Sequence, residues 1–89
     1  STRQSDEVIV RAAVSAAIVE EVNDGIGWAN ADTGSRGTIN GISENRDTGF
    51  LCRRFTTTRE SFEGVHLYQG EACLGPARMW MTKSFDRIQ

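Results

Sequence analysis

The residues of this chain best suited to chemistry are Cys52 and Cys73, the lone His66 and the doublet Arg53-Arg54. A thiol becomes a nucleophile when a base lies within hydrogen-bond reach. If the two cysteines face one another across a hairpin, paired positions sum to 125. His66 then falls several residues from Cys52 and on the opposite face, so no nucleophilic pair is expected. Two cysteines and one histidine fall short of the four ligands of a structural zinc site, and no Cys-x-x-Cys spacing occurs. Neither a metal nor a cofactor is expected. Glu20-Glu21, Glu44 with Asp47, and Glu60 with Glu63 fall at helix ends and turns, where solvated charge is the rule. Gly34-Ser35-Arg36-Gly37 lacks the lysine and the following helix of a phosphate loop. Strand alternation sends Arg53 and Arg54 to opposite faces. One is expected in a cross-strand salt bridge and the other with its stem along apolar surface, in preference to an anion site built from both.

Composition limits the scaffold that could position these groups. The chain has 89 residues, 38% hydrophobic and 25% charged, which describes a globular protein rather than a disordered one. At this length one domain is expected over residues 1–89, with a core that removes only roughly 60% of the unfolded surface from water. The cysteines are its only visible staple. The net charge of -2 and pI near 5.3 argue against a nucleic-acid partner. No apolar run approaches the ~20 residues that span a bilayer. No basic segment followed by an apolar one opens the sequence, so an export signal is expected to be absent or already removed.

The apolar pattern divides the chain in two. Val10, Val14, Ala17, Ile18 and Val22 recur at spacings of three and four, which predicts an amphipathic helix over residues 5–23. Ser5 is its expected N-cap, Asp6 and Glu7 suit its positive end, and Asn23-Asp24-Gly25 its stop. From Gly27 onward, glycines punctuate short segments rich in threonine, aromatic and β-branched residues. Strands are expected at about Arg36–Glu44, Gly49–Arg59, Val65–Leu74 and Arg78–Ser84, after a short extended piece around Trp28, giving a sheet over residues 27–84. Connections this tight leave no room for βαβ crossovers, so the strands should form an antiparallel meander. The expected fold is α+β, one N-terminal helix packed on a four- to five-stranded antiparallel sheet.

The cysteine alignment sets a register that can be checked. It places a turn at Ser61–Gly64, Arg54 opposite Glu71, and Phe55 opposite Gly70, where a ring can cover bare backbone. Leu51, Phe55, Tyr68, Ala72 and Leu74 then share the core face, where Leu51, Phe55, Tyr68 and a tryptophan should meet Val10, Val14, Ile18 and Val22 of the helix. The cysteines fall on the other, more solvated face with Arg54, Thr56, Gln69 and Glu71. Taken alone, the residues leave two states open: a cross-strand disulfide, or two buried thiols.

Trp28-Ala29-Asn30-Ala31-Asp32-Thr33-Gly34, then Gly37-Thr38-Ile39, Cys52-Arg53-Arg54-Phe55, Tyr68-Gln69-Gly70-Glu71-Ala72-Cys73 and Trp80 together resemble the bacterial surface-antigen domain of 17 kDa surface-antigen-type lipoproteins. The resemblance covers roughly residues 28–81. It implies an exported protein at the periplasm, outer membrane or surface of a Gram-negative cell, with Cys52 and Cys73 disulfide-bonded. Any membrane attachment would then come through an anchor outside this chain. It implies a non-catalytic structural or binding module that presents a stapled sheet to another envelope protein or to itself. The alternative is a small secreted inhibitor or accessory protein that regulates an envelope enzyme or secretion machinery. Candidate partner contacts are Trp28 and Trp80 towards the sheet's edges, Arg53, and Phe62 at the hairpin tip.

Overall fold

A computed structural model describes residues 2–19 and 25–89. It comprises α1 (Thr2–Ala16), β1 (Ile26–Asn30), β2 (Ser35–Asn45), β3 (Cys52–Ser61), β4 (Gly64–Leu74) and β5 (Trp80–Arg87). The five strands form one antiparallel sheet in sequence order. The helix meets the two edge strands, β1 and β5, more closely than those between. The sheet therefore curls around α1, and the helix spans the gap between its edges. Covering both edges in this way blunts the unpaired backbone that an open sheet otherwise presents.

Val10 and Val14 of α1 pack with Trp28, Ile39, Phe55, Tyr68 and Phe85 in the core. Tyr68 stacks on Phe85 at 4.9 Å between ring centroids, and Phe55 lies 6.4 Å from Phe85. Each large side chain buried here contributes about 1.5–3 kcal/mol. The hairpin register is the expected one: Cys52 faces Cys73, Arg54 faces Glu71 and Phe55 faces Gly70. Phe62-Glu63 make a two-residue turn between Ser61 and Gly64, whose φ of 112° suits only glycine.

The helix departs from its expected bounds at both ends. It begins at Thr2, so Ser5 is not its N-cap; the Ser5 hydroxyl instead accepts from Asn30 Nδ2 at 2.8 Å. It ends at Ala16 although the apolar spacing runs on, and Ile18 is 58% exposed. Arg53 is the physical reason. Its Nη1 donates to the carbonyls of Val14 (2.6 Å) and Ala17 (2.9 Å), drawing off acceptors that a continuing helix would use. Val22, Asn23 and Asp24 lie outside the described residues, and Gly25, at φ 84°, leads directly into β1.

Two strands also start later than expected. β3 begins at Cys52 because a turn closed by Gly49 N–H on the Arg46 carbonyl occupies the preceding residues. β5 begins at Trp80 because Pro76–Arg78 form a tight turn with Ala77 and Arg78 at positive φ.

Gly37 explains one of the glycines in the surface-antigen pattern. A Cβ there would collide with the Thr58 carbonyl on β3 and come within 2.8 Å of Trp28 Nε1. Gly37→Ala is expected to destabilise the domain by about 1–3 kcal/mol through overpacking. Chemical denaturation would show it, and an unchanged midpoint would mean that β2 and β3 can part without loss.

Candidate functional site

The most unusual chemistry lies under the sheet, where α1 crosses the hairpin end. Asp6 is 0% and Arg59 1% exposed. Arg59 Nε donates to Asp6 Oδ2 at 2.8 Å, while Asn30 Nδ2 and Thr33 Oγ1 each donate to Oδ1 at 2.9 Å. Burial alone pushes the Asp6 carboxyl upward. The donors from Arg59, Thr33 and Asn30 outweigh that and hold it below the ordinary carboxylate value. Ser35 adds a weaker pull, though its hydroxyl makes no hydrogen bond of standard geometry. Arg59 is lowered by burial and raised more by Asp6, so it stays charged. Its Cζ also lies 5.8 Å from the Tyr68 ring centroid, and its Nη1 reaches Glu63 at 3.4 Å. A pair sealed from solvent in this way ties helix to sheet and has no access to a substrate.

Arg59 was not singled out from sequence, and Asp6 was expected only as charge suited to the positive end of the helix, yet a signal for its burial existed. Asp6, Val10 and Val14 are spaced by four, so the aspartate lies on the buried stripe of the helix rather than at its solvated end. The cluster also gives physical meaning to the run from Trp28 to Gly37. Trp28 Nε1 donates to Thr57 Oγ1 at 2.9 Å, Asn30 and Thr33 hold the carboxylate, and Gly34 turns the chain at φ 76°.

Arg53 occupies the other end of α1. Besides capping the helix carbonyls it pairs with Glu44 at 3.3 Å and lies 5.3 Å from the Trp80 ring centroid. Of the four candidate partner contacts, Trp28 is buried in the core, Arg53 is engaged inside the fold and Trp80 is half-buried beneath it. Only Phe62 stands out, 82% exposed, with Val65 and Ile88 also exposed. Ile88 N–H bonds the Leu67 carbonyl, so Val65, Leu67 and Ile88 adjoin one another on the outer face below the tip.

Cys52 and Cys73 form a disulfide across β3 and β4. They lie on the face away from α1, yet both are buried: Cys52 is 1% and Cys73 7% exposed. Thr48 Oγ1 lies 4.0 Å from Cys52 Sγ, and Met81 sits beside Cys73 on β5. The expectation of a solvated position is corrected by this cover. Glu71 joins the two sulfurs in a group whose ligand-type atoms all lie within 4.8 Å. With the sulfurs bonded to each other neither is a thiolate, and Glu71 is paired with Arg54 at 3.3 Å. His66 faces Arg59, across the sheet from the cysteines.

A helix bridging the edges of a curled, disulfide-stapled antiparallel sheet, with its titratable pair sealed inside, defines a small α+β domain. Residues 15–81 match the family of the 17 kDa outer membrane surface antigen, and the chain belongs to that family. The match runs from the end of α1 to the start of β5. Asn30, Thr33, Arg59 and both cysteines fall within it, and Asp6 falls outside. Neither a curated protein nor a solved structure matches the chain. No helix among the described residues is long and apolar enough to cross a membrane.

Proposed function

We propose that the domain is a non-catalytic structural and binding module of the cell envelope, facing the periplasm or the cell surface, whose exposed hairpin engages another envelope protein or a second copy of itself. The observation that carries this reading is where the polar and apolar groups lie. Asp6, Arg59 and Arg53 are locked inside the fold, while Phe62 on a tight turn and Val65 on the strand that follows it are held out in solvent. A large aromatic side chain kept exposed on a rigid two-residue turn suits an anchor that enters a partner's pocket. The family and the disulfide both support an extracytoplasmic setting.

Phe62→Ser tests the reading. Folding stability should stay within about 0.5 kcal/mol, since the side chain makes little contact with its own domain, and capture of the partner from an envelope extract should be lost. Undiminished capture would remove the hairpin from the interface. The same exposed tip supports a second reading, an inhibitor or accessory protein for an envelope enzyme or secretion machinery. That reading requires the captured partner to be such a component and its turnover to change when the oxidised domain is added.

A further inference from the structure

Three exposed apolar side chains and one half-buried one gather at the tip of the β3–β4 hairpin. Phe62 stands on the turn, Val65 and Leu67 follow on β4, and Ile88 lies beside Leu67, held there by its N–H on the Leu67 carbonyl. Tyr68 enters the core, so alternation sends Leu67 and Val65, two residues apart, to the outer face. Phe62 stays in solvent and does not fold back over them. The hairpin thus carries an aromatic anchor and an apolar patch side by side, and neither covers the other within one molecule. Contiguous exposed apolar groups mark interaction surfaces where scattered ones do not.

A foreign partner with a pocket for Phe62 would use the anchor and leave Val65, Leu67 and Ile88 wet. A second copy uses both, because a two-fold axis brings the same surface to itself and every contact is made twice. Charge permits this approach. Glu60 is paired with Arg36 at 3.3 Å, Glu63 lies 3.4 Å from Arg59, and Asp86 is followed by Arg87 on β5. Arg59 is already balanced by Asp6, so each tip keeps a small negative charge, whose repulsion salt screens. We propose that two copies join tip to tip about a two-fold axis, each Phe62 packing on Val65, Leu67 and Ile88 of the other copy. This rests on the hairpin reading above and names its occupant. Four side chains are few against the roughly 20–30 residues a side of a standard interface, so the dimer is weak and forms reversibly.

The test is a dilution series of the oxidised, isotope-labelled domain from millimolar to micromolar concentration, followed by amide chemical shifts and translational diffusion. Shifts confined to residues 61–67 and 88, moving together with slower diffusion at high concentration, are expected. Added salt should tighten the association; weakening by salt would mean that ion pairs hold the copies, and overturns the proposal. Phe62→Ser and Val65→Ser should each weaken association at least tenfold at an unchanged melting temperature. Mixed, the two variants should associate more tightly than either alone, because the Phe62 that one keeps meets the patch that the other keeps. A domain that diffuses as a monomer at every concentration, shifts centred elsewhere, or a mixture no better than its components would each overturn the proposal. Should Val65→Ser melt early, Ile88→Ser trims the same patch from outside the hairpin and takes its place in the mixture. A monomer whose capture from extract still depends on Phe62 would give the tip to a foreign protein and leave the hairpin reading standing. A monomer whose capture ignores Phe62 would remove both.

Discussion

Asp6→Ala should destabilise the domain by about 3–5 kcal/mol, because it leaves the Arg59 guanidinium buried without its counter-charge. Against the roughly 5–15 kcal/mol that holds a typical domain together, much of the population would unfold at modest urea concentrations. Arg59→Met should do comparable damage from the other side, stranding a carboxylate that is fully enclosed. The informative variant is the double replacement Asp6→Leu with Arg59→Met. Buried ion pairs replaced as a unit by apolar side chains are often neutral in stability, so much of the loss should return. Recovery stays incomplete because Thr33 Oγ1 loses its acceptor, whereas Asn30 Nδ2 keeps the Ser5 hydroxyl. Urea midpoints of the four proteins close the cycle. Single variants that each shift stability by less than about 1 kcal/mol would show that the cluster does not hold helix to sheet.

The same pair predicts an acid response with a definite sign. The folded carboxyl of Asp6 lies below its unfolded value, so the unfolded chain binds a proton where the native one does not. The stability it contributes is fully present above the unfolded value and disappears as pH falls through the depressed folded one. Wild type should therefore lose more stability than Asp6→Asn as the solution is acidified through the carboxylate range, with the two curves parallel near neutrality. Parallel curves throughout would mean that Asp6 titrates alike in both states.

The sequence made the hairpin register legible because three constraints on β3 and β4 agreed: the cysteine pair, the Arg54–Glu71 charges, and a ring opposite Gly70. Each is a nearest-neighbour fact between strands joined by a short turn. The ion pair was harder to read because Asp6 and Arg59 are separated by 53 positions and both are types seldom fully buried. The helix end failed for a related reason. Periodicity reports which face of a helix is apolar, and Ile18 continues that face; what stops the helix is a guanidinium arriving from β3. Phe62 could be placed at a tip from the cysteine register, but whether the ring folded back or stood out depended on what lies beside it in the fold. Local pairing was thus readable, and long-range polar closure was not.

The second large loss is expected on opening the disulfide. Replacing both cysteines by alanine should cost about 3 kcal/mol, the loop-closure entropy for a bridge between residues 21 apart. The double alanine variant avoids leaving a lone thiol at a position that is closed to solvent. Wild type kept in reductant should match it, and equal denaturation midpoints for oxidised and reduced protein would show that the bond adds nothing to rigidity. The effect should reach the helix as well, because Arg53, which caps α1, is the next residue along the strand from Cys52. Backbone amides in the last turn of α1 should then exchange faster in the reduced protein, while those around Asp6 keep their protection. The two anchors sit at opposite ends of β3, seven residues and roughly 23 Å apart. Over that separation their losses should add to within about 0.5 kcal/mol. A combined loss well short of the sum would mean that the sheet transmits strain from one anchor to the other, and that the domain is not the rigid platform the proposed binding role requires.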